Sequence, residues 1–295
     1  MANSIVAMLN KHLLKYLDAR LVRRSHHYAN GAALFPPGTW VMFELPGGLK
    51  LWIDLGDVGV SMECMAGRYE IAETRFILDN LKEGGTFLDI GANIGWFAVQ
   101  AAAKIGANGR MIAIEPRTQT GAYLARSLQA NGFMDRSEVH HCAAGAEAGR
   151  FSIVWNGEAG NPGGTWSLPE KQMLQEFRED CFRTEEVDVR TVDAIVGGRR
   201  VDMIKIDIEG AEGLALRGAV KTLAQSRPVI LSEMNFSLLP KISGLTAGEY
   251  TGWMAQQGYQ CHALTADGGI GPILAAGNLP SHMTFINVIF IPMAE

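Results

Sequence analysis

The chain has 295 residues, of which 47% are hydrophobic and 19% charged, and its formal net charge is −5. This length can bury a full core, and the acidic balance excludes nucleic acid as the main partner, because neutralising phosphates takes a concentrated basic surface. The four cysteines are scattered and form no CxxC pair, which disfavours a zinc site or a disulfide framework. Neither an apolar run of membrane-spanning length nor a signal-peptide pattern is seen, so we expect a cytoplasmic protein without a transmembrane segment.

Residues 1–68 are predicted to form an N-terminal extension of a helix and a β-hairpin. Apolar residues recur at helical spacing from Ser4 to about Arg24, with basic residues among them. We expect this helix to pack on its own domain or to form a homodimer, while contact with an anionic membrane is the less favoured alternative. The stretch TWVMFELPGGLKLWIDL that follows has two β-rich runs around Pro46-Gly47-Gly48, which predicts a hairpin.

From Tyr69 onward, predicted strands alternate with helices. The strands are TFLDI, RMIAIEP, SEVHHCAAG, VDMIKID, PVILSEM and YQCHAL, and the apolar run TFINVIFIP closes the chain. This alternation predicts a parallel sheet with helices on both faces. A loop-rich insert is expected between Trp155 and Glu186, and one continuous helix is expected from EGAEGLALRGAVKTLAQ. Residues 69–295 are thus predicted to be one α/β domain.

The stretch FLDIGANIGWF predicts a strand, a glycine turn and a helix. The turn residues Gly91, Ala92, Asn93 and Gly95 are candidate cofactor contacts, although they lack the GxGxxG spacing of dinucleotide sites. Asp89 would repel a pyrophosphate at this position. It would instead attract the ammonium and sulfonium groups of S-adenosylmethionine, while the turn amides could bind the carboxylate of that ligand. The charge pattern therefore favours S-adenosylmethionine over NAD.

A second acid supports a nucleoside ligand. Glu115 ends the next predicted strand, where an acid accepts hydrogen bonds from both ribose hydroxyls, and Pro116 follows it. NAD would use the same feature, and a solvated strand-end carboxylate is the ordinary alternative. Ala143 is placed beside the adenine by its position after the third strand, with an ordinary strand end as an equal alternative.

The motif VDMIKIDIEGAE contains the candidate catalytic residues. Lys205 and Asp207 share one face of a strand, and Asp207 falls at its carboxyl end, where open α/β sheets bind ligands. Glu209 and Glu233 are further acids near the same edge. Glu212 opens a helix, where an acid complements the helix dipole.

Together, FLDIGANIGWFAV, IAIEP, IKIDIEGAE with LRGA, and RPVILSE resemble the FkbM family of S-adenosylmethionine-dependent methyltransferases. The resemblance covers about Tyr69 to Glu233. It implies a class I methyltransferase (Rossmann-like) α/β fold, a mostly parallel sheet of seven strands whose last strand, TFINVIFIP, is antiparallel. It also implies O-methylation of a hydroxyl on a sugar, glycolipid or natural-product acceptor. NPGGTWSL looks like a loop that family members carry at this place.

We expect Asp207 to be the general base, because an alcohol becomes a good nucleophile only as its proton leaves. The same acids could hold a divalent cation such as Mg²⁺, although no ligand spacing requires a metal. His140, His141 and His282 are better explained as structural or surface histidines. An NAD(P)-dependent oxidoreductase and a catalytically silent cofactor-binding module are the alternatives to a methyltransferase.

Overall fold

The computed structural model describes residues 35–156, 165–167, 182–275, 279–280 and 283–294. The predicted N-terminal helix, His282 and most of the NPGGTWSL segment lie outside these residues. The strands are β1 Trp40–Glu44, β2 Lys50–Asp54, β3 Thr86–Ile90, β4 Arg110–Ile114, β5 Ser137–His140, β6 Ala143–Ala144, β7 Gly149–Asn156, β8 Thr165–Ser167, β9 Phe182–Arg190, β10 Met203–Ile206, β11 Val229–Asn235, β12 Tyr259–Leu264, β13 Ile270–Ile273 and β14 Phe285–Pro292. The helices are α1 Ser61–Met65, α2 Ile71–Asn80, α3 Trp96–Ile105, α4 Thr118–Ala130, α5 Val192–Val196, α6 Glu212–Arg217, α7 Val220–Ser226, α8 Leu238–Ile242 and α9 Ala247–Gln256.

The central sheet has the order β13-β12-β14-β11-β10-β3-β4-β5. Strands β11, β10, β3, β4 and β5 are parallel, whereas β14 runs antiparallel between β11 and β12. The class I methyltransferase fold with a last, antiparallel strand is therefore confirmed. The sheet differs from the expectation in one respect, because β13 adds an eighth strand at the edge beyond β12.

A second sheet was not predicted. Strands β6, β9, β7 and β8 form it in the order β6-β9-β7-β8, with β7 antiparallel to both neighbours. The expectation of a loop-rich insert from Trp155 to Glu186 was wrong at both ends, because β7 runs to Asn156 and β9 begins at Phe182. The single strand expected from SEVHHCAAG is likewise divided, with β5 in the central sheet and β6 in the second.

The one helix expected after VDMIKID is two helices. The chain leaves α6 at Gly218, and α7 starts at Val220. A side chain at Gly218 would place its Cβ 2.1 Å from the carbonyl oxygen of Gly145, so only glycine lets the two segments approach. The break therefore results from close backbone contact with the loop after β6.

The predicted hairpin is present, with β1 and β2 antiparallel and Gly47 and Gly48 at positive φ in the turn. Its residues Leu45, Leu51, Ile53 and Leu55 are buried in the same hydrophobic cluster as α3 and α4. Two side chains of α4 fix its position: Ser127 accepts a hydrogen bond from the amide of Trp52, and Asn131 accepts one from Lys50. The division of the chain at residue 68 stays a prediction.

Candidate active site

A cavity opens at the carboxyl edge of the central sheet, where β3 lies between β10 and β4. Lys205 on β10 pairs with Asp89 on β3 and with Leu231 on β11, so these residues share one face of the sheet. Asp207 and Glu233 lie two residues further along their strands, on the same face, and both line the cavity. The register of three parallel strands thus brings the predicted acids together at the topological switch point.

The glycine turn after β3 forms the floor of this cavity. Gly91, Ala92 and Asn93 line it, and Gly91 and Asn93 have positive φ angles. A Cβ at Gly91 would lie 2.0 Å from the carbonyl oxygen of Asp207, so the position requires glycine. Gly95 also has a positive φ and precedes α3, but it does not line the cavity.

The amides of this turn are already bonded within the chain. The amides of Gly91 and Ala92 donate to the carbonyl of Ile114, and that of Asn93 donates to the Glu115 carboxylate. The expectation that these amides bind the ligand's carboxylate is therefore not supported, because they are used to hold β3 against β4.

Glu115 lies at the end of β4 and lines the cavity, as does Pro116. Its Oε2 accepts a hydrogen bond of 2.9 Å from the Asn93 amide, and its Oε1 accepts one of 3.0 Å from the Arg117 amide. Burial raises the pKa of Glu115 to about 7, although the two backbone hydrogen bonds oppose the rise. The carboxylate is thus fixed in orientation before any ligand arrives.

Asp207 is bonded to Lys205, whose Nζ lies 3.1 Å from its Oδ2. Lys205 is only 5% exposed and lies over the ring of Phe97. Burial lowers its pKa, but the charges of Asp207, Glu70 and Asp89 outweigh that effect and raise it. The lysine is therefore a cation in the cavity lining, stabilised by several acids.

Two further predicted acids, Glu209 and Glu233, line the cavity without a hydrogen bond or ion pair to any described side chain. Burial, together with the charge of Asp207, raises the pKa of Glu209 to about 7 and that of Glu233 to about 9. Glu212 differs, because it is buried and its Oε1 accepts hydrogen bonds from the amides of Ile208 and Gly210. Glu212 is a structural acid that shapes the turn after β10.

Asp89 is placed beneath the cavity and does not line it. The residue is fully buried, and neither carboxylate oxygen has a hydrogen-bond partner among the described residues. Burial raises its pKa to about 6, with Lys205 opposing the rise. Asp89 therefore lies near the charge of Lys205 and does not reach the cavity surface in this arrangement.

Sequence reasoning missed two walls of the cavity. Tyr69 and Glu70 line it from the segment before α2, and Phe151 and Ile153 line it from the second sheet, beside the predicted Ala143. Glu70 stands immediately before a helix, where an acid is normally read as a cap. Phe151 and Ile153 lie on β7, which pairs with β8 and with β9, a strand distant in the sequence. No local signal marks these residues.

The histidines lie elsewhere. His140 contacts Glu138 and Arg190, and the ring of His141 lies where a Cβ at Gly121 would be placed. Among the described residues, no group of three or more His, Cys, Asp or Glu side chains is arranged to hold a metal ion. In the same part of the chain, no helix is both long and apolar enough to cross a membrane.

The fold and this cavity define an α/β protein with a cavity at a topological switch point, where such sheets bind ligands. A profile of the methyltransferase FkbM domain matches residues 89–261, which is more than half of the chain. The chain belongs to the FkbM methyltransferase family. Tyr69, Glu70 and the hairpin lie before the matched residues. A comparison with curated proteins finds no match.

Solved structures are similar to this chain at low identity, with TM-scores below 0.5. An FkbM methyltransferase from Methylobacillus flagellatus is 17% identical, with a TM-score of 0.44, over 78% of this chain and 52% of its own. An S-adenosylmethionine-dependent O-methyltransferase from Thermotoga maritima is 10% identical, with a TM-score of 0.41, over 91% and 98%. TYW2 from P. horikoshii, solved with MeSAdo, is 13% identical, with a TM-score of 0.43, over 87% and 72%. The chain spans about half the length of the first of these proteins.

Proposed function

We propose that the protein transfers a methyl group from S-adenosylmethionine to a hydroxyl of a sugar, glycolipid or natural-product acceptor. The observation that carries the proposal is the charge of the cavity lining. Glu70, Glu115, Asp207, Glu209 and Glu233 line it, and Lys205 is the one cation among the described lining residues. Lys205 is already paired with Asp207, so a cationic ligand would meet acids without a cation of their own, and its charge would favour their ionised forms.

The same lining disfavours a dinucleotide. A pyrophosphate binds free amides at a helix N-terminus or basic side chains. In this turn the amides of Gly91, Ala92 and Asn93 have partners within the chain. We therefore infer that Glu115 holds the ribose hydroxyls, and that the turn with Pro116 and Ala143 surrounds the nucleoside.

When bound, S-adenosylmethionine would supply a sulfonium methyl group that the acceptor oxygen can take, with S-adenosylhomocysteine as the leaving group. In the proposed mechanism the Asp207 carboxylate accepts the proton of the acceptor hydroxyl, because its position at the strand end faces the cavity. Lys205 fixes the orientation of Asp207 through its bond to Oδ2. Glu209 and Glu233 hold further polar groups of the acceptor.

The proposal is tested by methyl transfer from labelled S-adenosylmethionine to a panel of hydroxyl-bearing glycans, glycolipids and polyketides. We expect Asp207→Asn to lower the rate by roughly 10²–10⁴-fold, because the amide cannot take a proton. Asp79→Asn, on the exposed side of α2, is the matched control and should leave the rate unchanged.

Three results would count against this assignment. Wild-type turnover by Asp207→Asn would remove Asp207 from the chemistry. Loss of wild-type activity on chelation, restored by Mg²⁺ or Mn²⁺, would instead make Asp207 a metal ligand. A drop in thermal stability of the variant, with binding of S-adenosylhomocysteine also lost, would indicate that Asp207 serves only to neutralise Lys205.

A further inference from the structure

Glu70 occupies the position before α2 in an unusual way. Its backbone is left-handed, with φ of 41° and ψ of 56°, and its side chain makes no capping hydrogen bond to the helix. An acid at this position normally has extended backbone angles and accepts a bond from an amide of the first turn. Helix α2 therefore lacks a side-chain cap from Glu70, and the backbone at this residue, which has a Cβ, is strained.

Left-handed backbone angles at residues other than glycine concentrate around the cavity. Four described residues other than glycine have positive φ, and three of them, Glu70, Asn93 and Glu209, line the cavity. Asn93 forms the glycine turn, and Glu209 forms the turn after β10. Because left-handed non-glycine residues concentrate at sites of function, Glu70 is marked as a functional residue by its backbone.

The charged and titratable groups that face Glu70 come from several elements. Tyr69 precedes it and is a hydrogen-bond partner of its side chain, Glu73 lies on α2, and Cys64 lies on α1. Lys205 lies on β10, and Asp207 follows that strand. Burial raises the pKa of Glu70 to about 7, Lys205 opposes the rise, and Asp207 adds to it. The only direct ion pair of Lys205 is to Asp207, so Glu70 has no cation of its own within 4 Å among the described residues. A cationic ligand would complete this arrangement.

Glu70 faces the β10 side of β3, whereas Glu115 lies at the end of β4 on its other side. If Glu115 holds the ribose, the methionine end of the ligand would extend towards the other side of the cavity, where Glu70 lies. We propose that Glu70 binds the ammonium group at the methionine end of S-adenosylmethionine, the task that the sequence suggested for Asp89. This inference rests on the proposed function. It places a cofactor contact outside residues 89–261, in the segment before the family domain.

The test compares wild type, Glu70→Gln and Glu44→Gln in calorimetric titrations near pH 7. Glu44 is exposed on β1 and far from the cavity lining, so its variant is the control. The probes are S-adenosylmethionine, S-adenosylhomocysteine, which keeps the ammonium without the sulfonium, and methylthioadenosine, which has neither. Titrations in two buffers of different ionisation enthalpy give the number of protons released on binding.

We expect Glu70→Gln to bind S-adenosylmethionine and S-adenosylhomocysteine about tenfold or more weakly, the loss of one charge-assisted hydrogen bond. Methylthioadenosine should bind all three proteins equally, which also shows that the variant is folded. Contact with an ammonium lowers the pKa of a carboxyl, so wild type should release more protons with S-adenosylhomocysteine than with methylthioadenosine. That excess should vanish in Glu70→Gln.

Equal affinity of wild type and Glu70→Gln for S-adenosylhomocysteine would overturn the proposal. An equal loss for methylthioadenosine would show a structural role instead, and a loss confined to S-adenosylmethionine would assign Glu70 to the sulfonium. Failure of wild type to bind any of the three probes would overturn the proposed function, and this inference with it.

Discussion

At the scale of single residues, the predicted acids divide into those that reach the cavity and one that does not. Glu115 and Asp207 follow the last residue of their strands, and a residue in that place projects from the sheet edge into the cavity. Asp89 lies one residue before the end of β3 and is enclosed by neighbouring strands. The sequence identifies all three as acids near the turn. The sequence does not predict how deeply each side chain is buried below the cavity, because that depends on where the hydrogen bonding between strands ends.

The role of Glu115 can be tested directly. We expect Glu115→Ala to weaken binding of S-adenosylmethionine by about 1–3 kcal/mol, because the ribose hydroxyls and the amides of Asn93 and Arg117 lose their acceptor. Glu147→Ala, an exposed acid in the loop after β6, is the control. Isothermal titration calorimetry measures both. Unchanged affinity in Glu115→Ala would exclude Glu115 from the cofactor site.

At the scale of elements, local patterns were sufficient for most of the central sheet. Alternating strands and helices and the hairpin turn were predicted from composition and spacing, the antiparallel final strand was implied by the family resemblance, and all are present. The second sheet was missed because β6 has two residues and β8 has three, which is too short for a periodic signal. In this sheet β7 pairs with β9, although the two strands are separated by a long stretch of sequence. A local sequence pattern does not predict pairing between distant segments.

The hairpin is expected to be essential for folding, in contrast to the residues before it. A protein starting at Pro36 should fold and bind S-adenosylmethionine, because the predicted site residues and the hairpin all remain. One starting at Gly56 should not fold, because it lacks Leu51 and Ile53, which are fully buried. Each such loss costs about 2–5 kcal/mol in a typical core, against a total stability of roughly 5–15 kcal/mol.

Thermal unfolding and cofactor titration of the two shortened proteins make this comparison. If the protein starting at Pro36 is unfolded, residues 1–35 belong to the core. If the protein starting at Gly56 unfolds at the wild-type temperature, the hairpin is an accessory element.

At the scale of the whole molecule, the cavity is assembled from three parts of the chain. Outside the second sheet, the family-matched region supplies the glycine turn, the acids that follow β4 and β10, and Glu233 within β11. The segment before it adds Tyr69 and Glu70, and the second sheet adds Phe151 and Ile153. The motif residues therefore line one part of the cavity, whereas the residues of its remaining walls depend on tertiary packing. The common property of the assembled cavity is its excess of carboxylates over cations.

The most direct test of a methyltransferase that uses a sulfonium cofactor is a calorimetric titration of the wild-type protein with S-adenosylmethionine, S-adenosylhomocysteine and NADH. The carboxylate-rich lining and the internally bonded turn amides predict binding of the first two ligands and no binding of NADH. Binding of NADH, with neither sulfur ligand bound, would contradict the account and favour an oxidoreductase.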